Sequence, residues 1–383
     1  MELNGYICDD EWEIAGNCRF TFGKKNNKEY FIKEFNDQKY PLKSDNADLH
    51  KLKLDNYNKW LKNQNRIIDS LSKVASSGDG NIIRPLETFI NPVTSSPCTA
   101  SYKVNVLTNS IEKIGKYSIE DKLSLLLTVS FAIKTIHSVN LIHGDLKPDN
   151  IIVSLSSLNV PICKVIDFDS SYFKDSIPPA EEVVGTEAYW SPELALYKLT
   201  QNPKIVECIS CKSDVFALGI IFSQYLTGKN YNDLIKDKLA YQLVCDSENP
   251  IELGKEFEKK LPSKLHKEKK YQLLFQLINK MLSLEPDNRP SMEQVYKDIM
   301  VIKNTSTSTL TSIPAPTSTL SSMSIELPNP RFFNEVNIDK INDTRIVAIE
   351  DMGVYCNVYY NINDTISIRK QNKQTLKTIG WVN

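Results

Sequence analysis

What this 383-residue chain lacks narrows its function before anything it contains. It has no charge imbalance. The formal net charge is −1, so neither a nucleic-acid surface nor a polybasic membrane patch is expected, and any charged site must be local. Its opening, MELNGYICDDEWEI, is acidic and has no apolar core segment, so it does not read as a secretory signal. The most apolar stretch, LSLLLTVSFAIKTIH, is too short to span a bilayer and is interrupted by Lys134. Histidine is scarce, at four residues. Among eight scattered cysteines only Cys208 and Cys211 have C-x-x-C spacing, which reads as a reduced loop rather than a zinc site. The expected compartment is the cytoplasm, with no membrane and no nucleic-acid partner.

What is present is enough apolar residue, 41%, to bury a sizeable core. Residues 11–36 alternate apolar and polar side chains around a polar turn at Asn26-Asn27, which predicts strands. From Ala47 to Ala75 the spacing becomes helical, with Leu54, Tyr57, Leu61, Ile67, Ile68 and Leu71 on related faces, and SSGDG ends the helix. NIIRPLETF and SYKVNVL read as two further strands, and from Ser118 helices dominate. The expected class is α+β and bilobal: a small β-rich lobe with one long helix over 1–106 and a larger helical lobe over 107–303. Residues 304–330, where TSTL occurs twice, have the Ser/Thr/Pro composition of a linker. Residues 331–383 carry three strand-like runs, TRIVAIE, VYCNVYYNI and TISIRKQ, and are expected to form a small β appendage.

The chemistry is concentrated in LIHGDLKPDNIIV, residues 141–153. Two acids, a lysine and an asparagine sit between two runs that want burial. Acids held there are costly unless something binds them, and a metal ion or a reacting hydroxyl does so. Asp167 follows another buried run 22 positions after Asp145, in CKVIDFDSSYF. Two acids and Asn150 converging make a divalent-metal and phosphate site.

HGDLKPDN, DFD, GTEAYWSPE, DVFALG and NRPS, in that order, resemble the signature set of eukaryotic-type Ser/Thr protein kinases across about residues 10 to 300. The resemblance implies ATP and magnesium (or manganese) as cofactors and a protein as substrate. It makes Asp145 the aspartate that orients the substrate hydroxyl and accepts its proton, and Lys147 the lysine that neutralises the γ-phosphate. Asn150 and Asp167 match metal ligands, and Lys33 in FIKEF matches the strand lysine that grips the α- and β-phosphates. Gly16 and Asn17 in AGNC, Gln64 on the helix, and Asn105 and Val106 at the lobe boundary complete the implied nucleotide contacts. Thr186 matches the threonine that hydrogen-bonds the catalytic loop. Glu193 and Arg289 match a structural ion pair, and Asp214 an anchor of the catalytic-loop backbone.

Four positions depart from that pattern. Gly144 replaces the arginine that meets an activation-loop phosphate, so the resemblance implies a non-RD enzyme that is competent without that phosphate. Asp169 replaces the glycine after the metal-binding aspartate; it either restricts the backbone there or adds a carboxylate, and restriction is the expectation. The phosphate-covering loop, IAGNCRFTFG, lacks G-x-G-x-x-G. The helix position that should offer Lys33 a glutamate falls near Gln64, with Asp55 and Asp69 less well placed.

KEYFIKEF and IDFDSSYF are similar to a bacterial group associated with a metal-dependent phosphatase and a von Willebrand A-type protein, which would then be partners. Two other classes compete. One is a pseudokinase, a kinase-shaped nucleotide- or partner-binding scaffold suggested by the poor glycine loop, Asp169 and Gln64. The other is a small-molecule phosphotransferase, suggested only by HGDL and opposed by GTEAYWSPE. The hydroxyl-rich tract at 305–324 is expected to be a tether that the site can phosphorylate.

Overall fold

The computed structural model describes residues 1–75, 80–235, 238–245 and 252–305, together with four strands between 346 and 381. The remainder of the Ser/Thr/Pro tract, from 306 on, lies outside the described residues, and with it the expected phosphorylatable tether.

The alternating segment near the N-terminus builds a sheet. Strands β1 (Glu2–Leu3), β2 (Tyr6–Cys8), β3 (Glu13–Ala15), β4 (Cys18–Lys25), β5 (Lys28–Phe35), β6 (Glu87–Ile90) and β7 (Pro97–Tyr102) pair antiparallel in the order β1-β2-β4-β5-β7-β6, with β3 also against β4. Asn26 and Asn27 both take left-handed φ, 52° and 60°, the geometry that a two-residue hairpin turn requires. Alternation along β5 buries Tyr30, Ile32 and Glu34 and turns Lys33 to the other face. The buried Glu34 is satisfied by Arg19, Asn91 and Thr94.

Helix α1 (Ala47–Val74) matches the expected span; Asn46 caps it by accepting from the Leu49 amide at 2.8 Å. Its buried face is Gln64, Ile67 and Leu71. The two later strands are displaced from their apolar runs: β6 takes only the end of NIIRPLETF, and β7 begins at Pro97 and ends two residues into SYKVNVL. Ile82 instead bridges Val165 of the large lobe, and the Ile83 amide donates to the Val165 carbonyl at 2.9 Å. Pro85 then separates this bridge from β6, because it has no amide to offer a ladder. The chain leaves β7 at Tyr102 and crosses to the large lobe through exposed Asn105 and Val106. Strands β1 and β2 have no counterpart in the expected layout.

The large lobe contains α2 (Ile111–Gly115), α3 (Ile119–His137), α4 (Pro192–Thr200), α5 (Cys211–Thr227), α6 (Tyr231–Leu234), α7 (Ala240–Val244), α8 (Leu253–Glu258), α9 (Lys269–Met281) and α10 (Met292–Asn304). Between α3 and α4 lie two small two-stranded antiparallel sheets: the hairpin of β9 (Ile151–Leu155) with β10 (Pro161–Val165), and β8 (Leu141–Ile142) with β11 (Tyr172–Phe173), which bracket it. Helix α3 is apolar on nearly every side because it is the centre of this lobe. Val129, Ile133 and Ile136 pack with Phe216 and Ile220 of α5 and Ile299 of α10. No described helix is long and apolar enough to cross a membrane. Ile67 and Leu71 of α1 join the same core, so the helix belongs energetically to both lobes. Cys208 and Cys211 are free thiols.

The four C-terminal strands, β12 (Ile346–Asp351), β13 (Tyr355–Ile362), β14 (Thr365–Asn372) and β15 (Thr378–Trp381), form a separate antiparallel sheet in sequence order. Three coincide with the strand-like runs of the sequence; β15 is additional.

Candidate active site

The site is assembled on backbone held by one buried acid. Asp214, on the first turn of α5, accepts from the amides of His143 (2.8 Å) and Gly144 (3.2 Å), and it contacts His137 Nε2 at 2.8 Å. Burial alone would raise its pKa, but the bonds from His137 and the His143 amide outweigh burial and hold it below the usual range. His143 is fully buried; its Nε2 donates to the Ile166 carbonyl at 3.0 Å, which leaves Nδ1 to face the Asp145 amide at 3.4 Å. The imidazole thereby ties the Asp145 loop to the Asp167 segment.

Gly144 has φ +78°, and a Cβ there would meet the Ser170 carbonyl oxygen at 2.6 Å. Both facts demand glycine. Gly185 has φ +139°, and its Cβ would lie 2.7 Å from the Gly144 carbonyl oxygen. Two glycines thus let two loops close on each other. As a result Asp145 Oδ1 accepts from the Thr186 amide at 2.8 Å, while Lys147 Nζ reaches Asp145 Oδ2 at 2.9 Å and Thr186 Oγ1 at 3.1 Å. Asn150 Nδ2 donates to the Asp145 carbonyl at 2.7 Å, which leaves its amide oxygen without a hydrogen bond among the described residues.

Asp167 follows β10 with left-handed φ, 64°, and reaches the small lobe: its Oδ1 lies 3.0 Å from Lys33 Nζ. Asp169 contacts the same ammonium through Oδ2. Burial disfavours charge on Lys33, but Asp169 and Asp167 outweigh it and hold the amine above its ordinary pKa. Burial raises Asp167 too, and Lys33 reverses the sign. Burial, then the Asp167 charge, push Asp169 upward.

Gln64 requires a correction. It is buried on the face expected, but its Oε1 accepts no hydrogen bond, so it does not hold Lys33. Asp169 does, and the side chain expected to act by restricting the backbone is an ion-pair partner. The signal was in the sequence as the unexplained acid after Phe168. Gly16 and Asn17 form the turn between β3 and β4, with Gly16 at φ +58° and open space around it. Asn105 and Val106 lie on the exposed crossing between lobes and share no hydrogen bond with the Asp145 cluster. Glu193 and Arg289 form a buried bidentate pair at 2.8 Å.

Two features were invisible in the sequence. Arg66 of α1 pairs with Asp175 at 2.8 Å and lies over the Phe173 ring at 3.7 Å, and Lys59 pairs with Glu182 at 2.6 Å. The helix therefore holds the segment between Asp167 and Thr186 through existing carboxylates. Nothing in the spacing of these residues signals contacts across more than 100 positions.

A strand lysine of the small lobe thus faces the acids of the helical lobe, with a buried anchor beneath. Residues 23–300 match the family model described as "Protein kinase domain", and the chain belongs to that family. It is similar to the serine/threonine-protein kinase Pkn1 of Myxococcus xanthus, 35% identical over 131 residues, which is 33% of this chain and 17% of that protein. A calcium/calmodulin-dependent serine/threonine-protein kinase of Malus domestica is 26% identical over 196 residues, 51% of this chain and 42% of the relative. A putative serine/threonine-protein kinase of Acanthamoeba polyphaga mimivirus is 29% identical over 179 residues, 46% and 55%. The alignments thus span from under a fifth to about half of these relatives' lengths. The family match begins at Gly23, after the Gly16–Asn17 turn.

Proposed function

We propose that the chain is a Ser/Thr protein kinase that moves the γ-phosphate of ATP to protein hydroxyls with a divalent metal, magnesium or manganese. One observation carries this reading: Lys33 of the small lobe lies 3.0 Å from Asp167 of the large lobe, beside the closed cluster of Asp145, Lys147, Asn150 and Thr186. Among the described residues no group of three or more His, Cys, Asp or Glu could hold a metal alone. An all-oxygen pair, Asp167 and Asn150, suits magnesium, which takes one or two protein ligands and completes its shell with phosphate and water. When bound, the ion supplies charge neutralisation across the β- and γ-phosphates.

Asp145 orients the acceptor hydroxyl and takes its proton, its own oxygens fixed by the Thr186 amide and Lys147. Lys147 neutralises the charge on the transferred group, and Thr186 keeps it there. Lys33 grips the α- and β-phosphates; the amides of Gly16 and Asn17 cover them, and Asn105 and Val106 border the nucleotide. With Gly144 in place of arginine, the enzyme needs no activation-loop phosphate: Arg66 and Lys59 already pair with Asp175 and Glu182. The expected result is phosphate incorporation from labelled ATP into a general protein substrate. An Asp145→Asn protein provides the baseline, and incorporation no higher than that baseline overturns the reading.

A second reading, a kinase-shaped binding module, is favoured by the open single-glycine turn at Gly16. Saturable Mg-ATP binding without transfer would select it. The partner phosphatase and von Willebrand A-type protein rest on the bacterial resemblance, which co-purification from a bacterial cell tests; cytoplasmic residence rests on the composition of the sequence, which cell fractionation tests.

A further inference from the structure

We propose that Asp169, and not a residue of α1, is the positioning group for Lys33, which leaves Asp167 to the metal ion. The inference rests on the phosphotransfer reading and deepens it. Lys33 Nζ stands between two carboxylates of one three-residue segment. The two cannot serve the same purpose, because an acid that ligates a divalent cation shares its charge with that cation and attracts the ammonium less. They also differ in setting. Asp169 Oδ2 is a buried atom in contact with Lys33, whereas the Asp167 side chain is the more exposed, 35% against 27%. A buried carboxylate oxygen needs a cation beside it, and Lys33 is that cation.

The rest of the neighbourhood offers no substitute. Helix α1 turns Gln64, Ile67 and Leu71 to the core, and the Gln64 oxygen makes no hydrogen bond. The acids of α1 nearest in sequence, Asp55 and Asp69, are exposed. Phe168, between the two acids, is 2% exposed and packs on the His143 ring at 5.3 Å, so the segment that carries Asp169 is itself anchored to the catalytic loop. Placement of Lys33 is thereby built into the large lobe, next to the metal ligand it must cooperate with, and not into the helix.

The experiment compares Asp169→Asn, Asp169→Glu and Asp167→Asn with the wild type, each first shown to melt cooperatively near the wild-type temperature. Affinity for ATP is measured in EDTA, where no metal contributes, and KM and kcat are then measured with magnesium. Loss of a charge-assisted anchor predicts that Asp169→Asn weakens metal-free ATP binding about tenfold and raises KM by a similar factor, with kcat less affected. Asp169→Glu, which keeps the charge, binds more tightly than the Asn variant. Asp167→Asn retains metal-free affinity to within about threefold and loses turnover. The inference is overturned if folded Asp169→Asn binds metal-free ATP as the wild type does, or if the Asn variants at 167 and 169 lose that affinity equally. A wild-type protein that binds ATP and transfers no phosphate sinks the catalytic reading alone, because the metal-free affinities still decide between the two acids.

Discussion

At the residue scale, Gly144 shows how a single position can serve two constraints. Its positive φ excludes a relaxed side chain, and the Ser170 carbonyl 2.6 Å from a built Cβ excludes even a methyl group without movement. Gly144→Ala is expected to cost about 1–3 kcal/mol, measured by urea denaturation, and to lower kcat through a displaced Asp145. Restoring arginine there would meet the same obstruction, so Gly144→Arg should not create a phosphate-responsive enzyme. Activity of Gly144→Arg that rises on activation-loop phosphorylation would contradict this.

Arg289 is the other residue with no freedom. Its side chain is fully buried, bidentate to Glu193, and it spends its remaining donors on the carbonyls of Ser283, Leu284 and Lys212. Glu193→Gln leaves that guanidinium without its counter-charge and is expected to destabilise the fold by about 3–5 kcal/mol. The pH dependence follows from the same pair. Burial alone would raise the Glu193 pKa, but Arg289 and the Ser213 hydroxyl outweigh burial and lower it. Its contribution is therefore complete above the unfolded-state value, near the ordinary glutamate range, and is lost as pH falls through the lower folded value. Urea midpoints taken from about pH 6 down to about pH 3 should drop for the wild type, with a shallower acid limb in Glu193→Gln. Parallel limbs would assign the acid sensitivity elsewhere.

At the scale of elements, α1 carries more than its own packing. Its N-cap and buried stripe make it a helix, while Lys59 and Arg66 on another face hold Glu182 and Asp175, and Asn63 Nδ2 lies 3.4 Å from the Ser171 carbonyl. These ion pairs are exposed, so each adds little to global stability. Their effect is local. Arg66→Ala is expected to leave the melting temperature almost unchanged and to speed amide hydrogen exchange in residues 172–183. Unaltered exchange there would mean that β8 pairing with β11 holds the segment alone. The contrast between β6 and its longer apolar run has an equally local origin. Pro85 breaks the ladder, and Asn81 to Ile83 spend their backbone groups on Val165 of β10.

At the scale of the whole molecule, the lobes are joined by two chemically different contacts. One is apolar: Ile67, Leu71 and Ile82 enter the core of the large lobe beside Val165. The other is ionic: Lys33 reaches Asp167 and Asp169, and Arg66 and Lys59 of α1 reach Asp175 and Glu182. The first sets the spacing of the lobes without regard to ligand. The Lys33 pair joins the small-lobe sheet to the Asp167 segment, where the proposed function puts the nucleotide's phosphates. Ile82→Ala, at 4% exposure, removes part of the apolar strap and is expected to cost about 2–4 kcal/mol in urea denaturation.

Much of this was legible in the residues. The alternation of β4 and β5, the Asn26-Asn27 turn, the span of α1 and the central helix α3 all follow from local periodicity and capping. The ordered motifs foretold which side chains gather: Asp145, Lys147, Asn150, Thr186 and Asp214 do meet, because each lies within a few residues of a buried strand or helix that holds it. What local pattern cannot encode is the partner of a side chain on a distant segment. Whether Lys33 would be held by Gln64 or by Asp169 depends on how α1 sits against β10, and which acids Lys59 and Arg66 would find depends on the path of the chain after Phe173. Periodicity and motif determined the elements and the set of side chains that gather at the candidate site, since both arise from neighbours along the chain. Only the tertiary structure decided the charge pairing across the cleft, since that depends on distances between atoms more than a hundred residues apart.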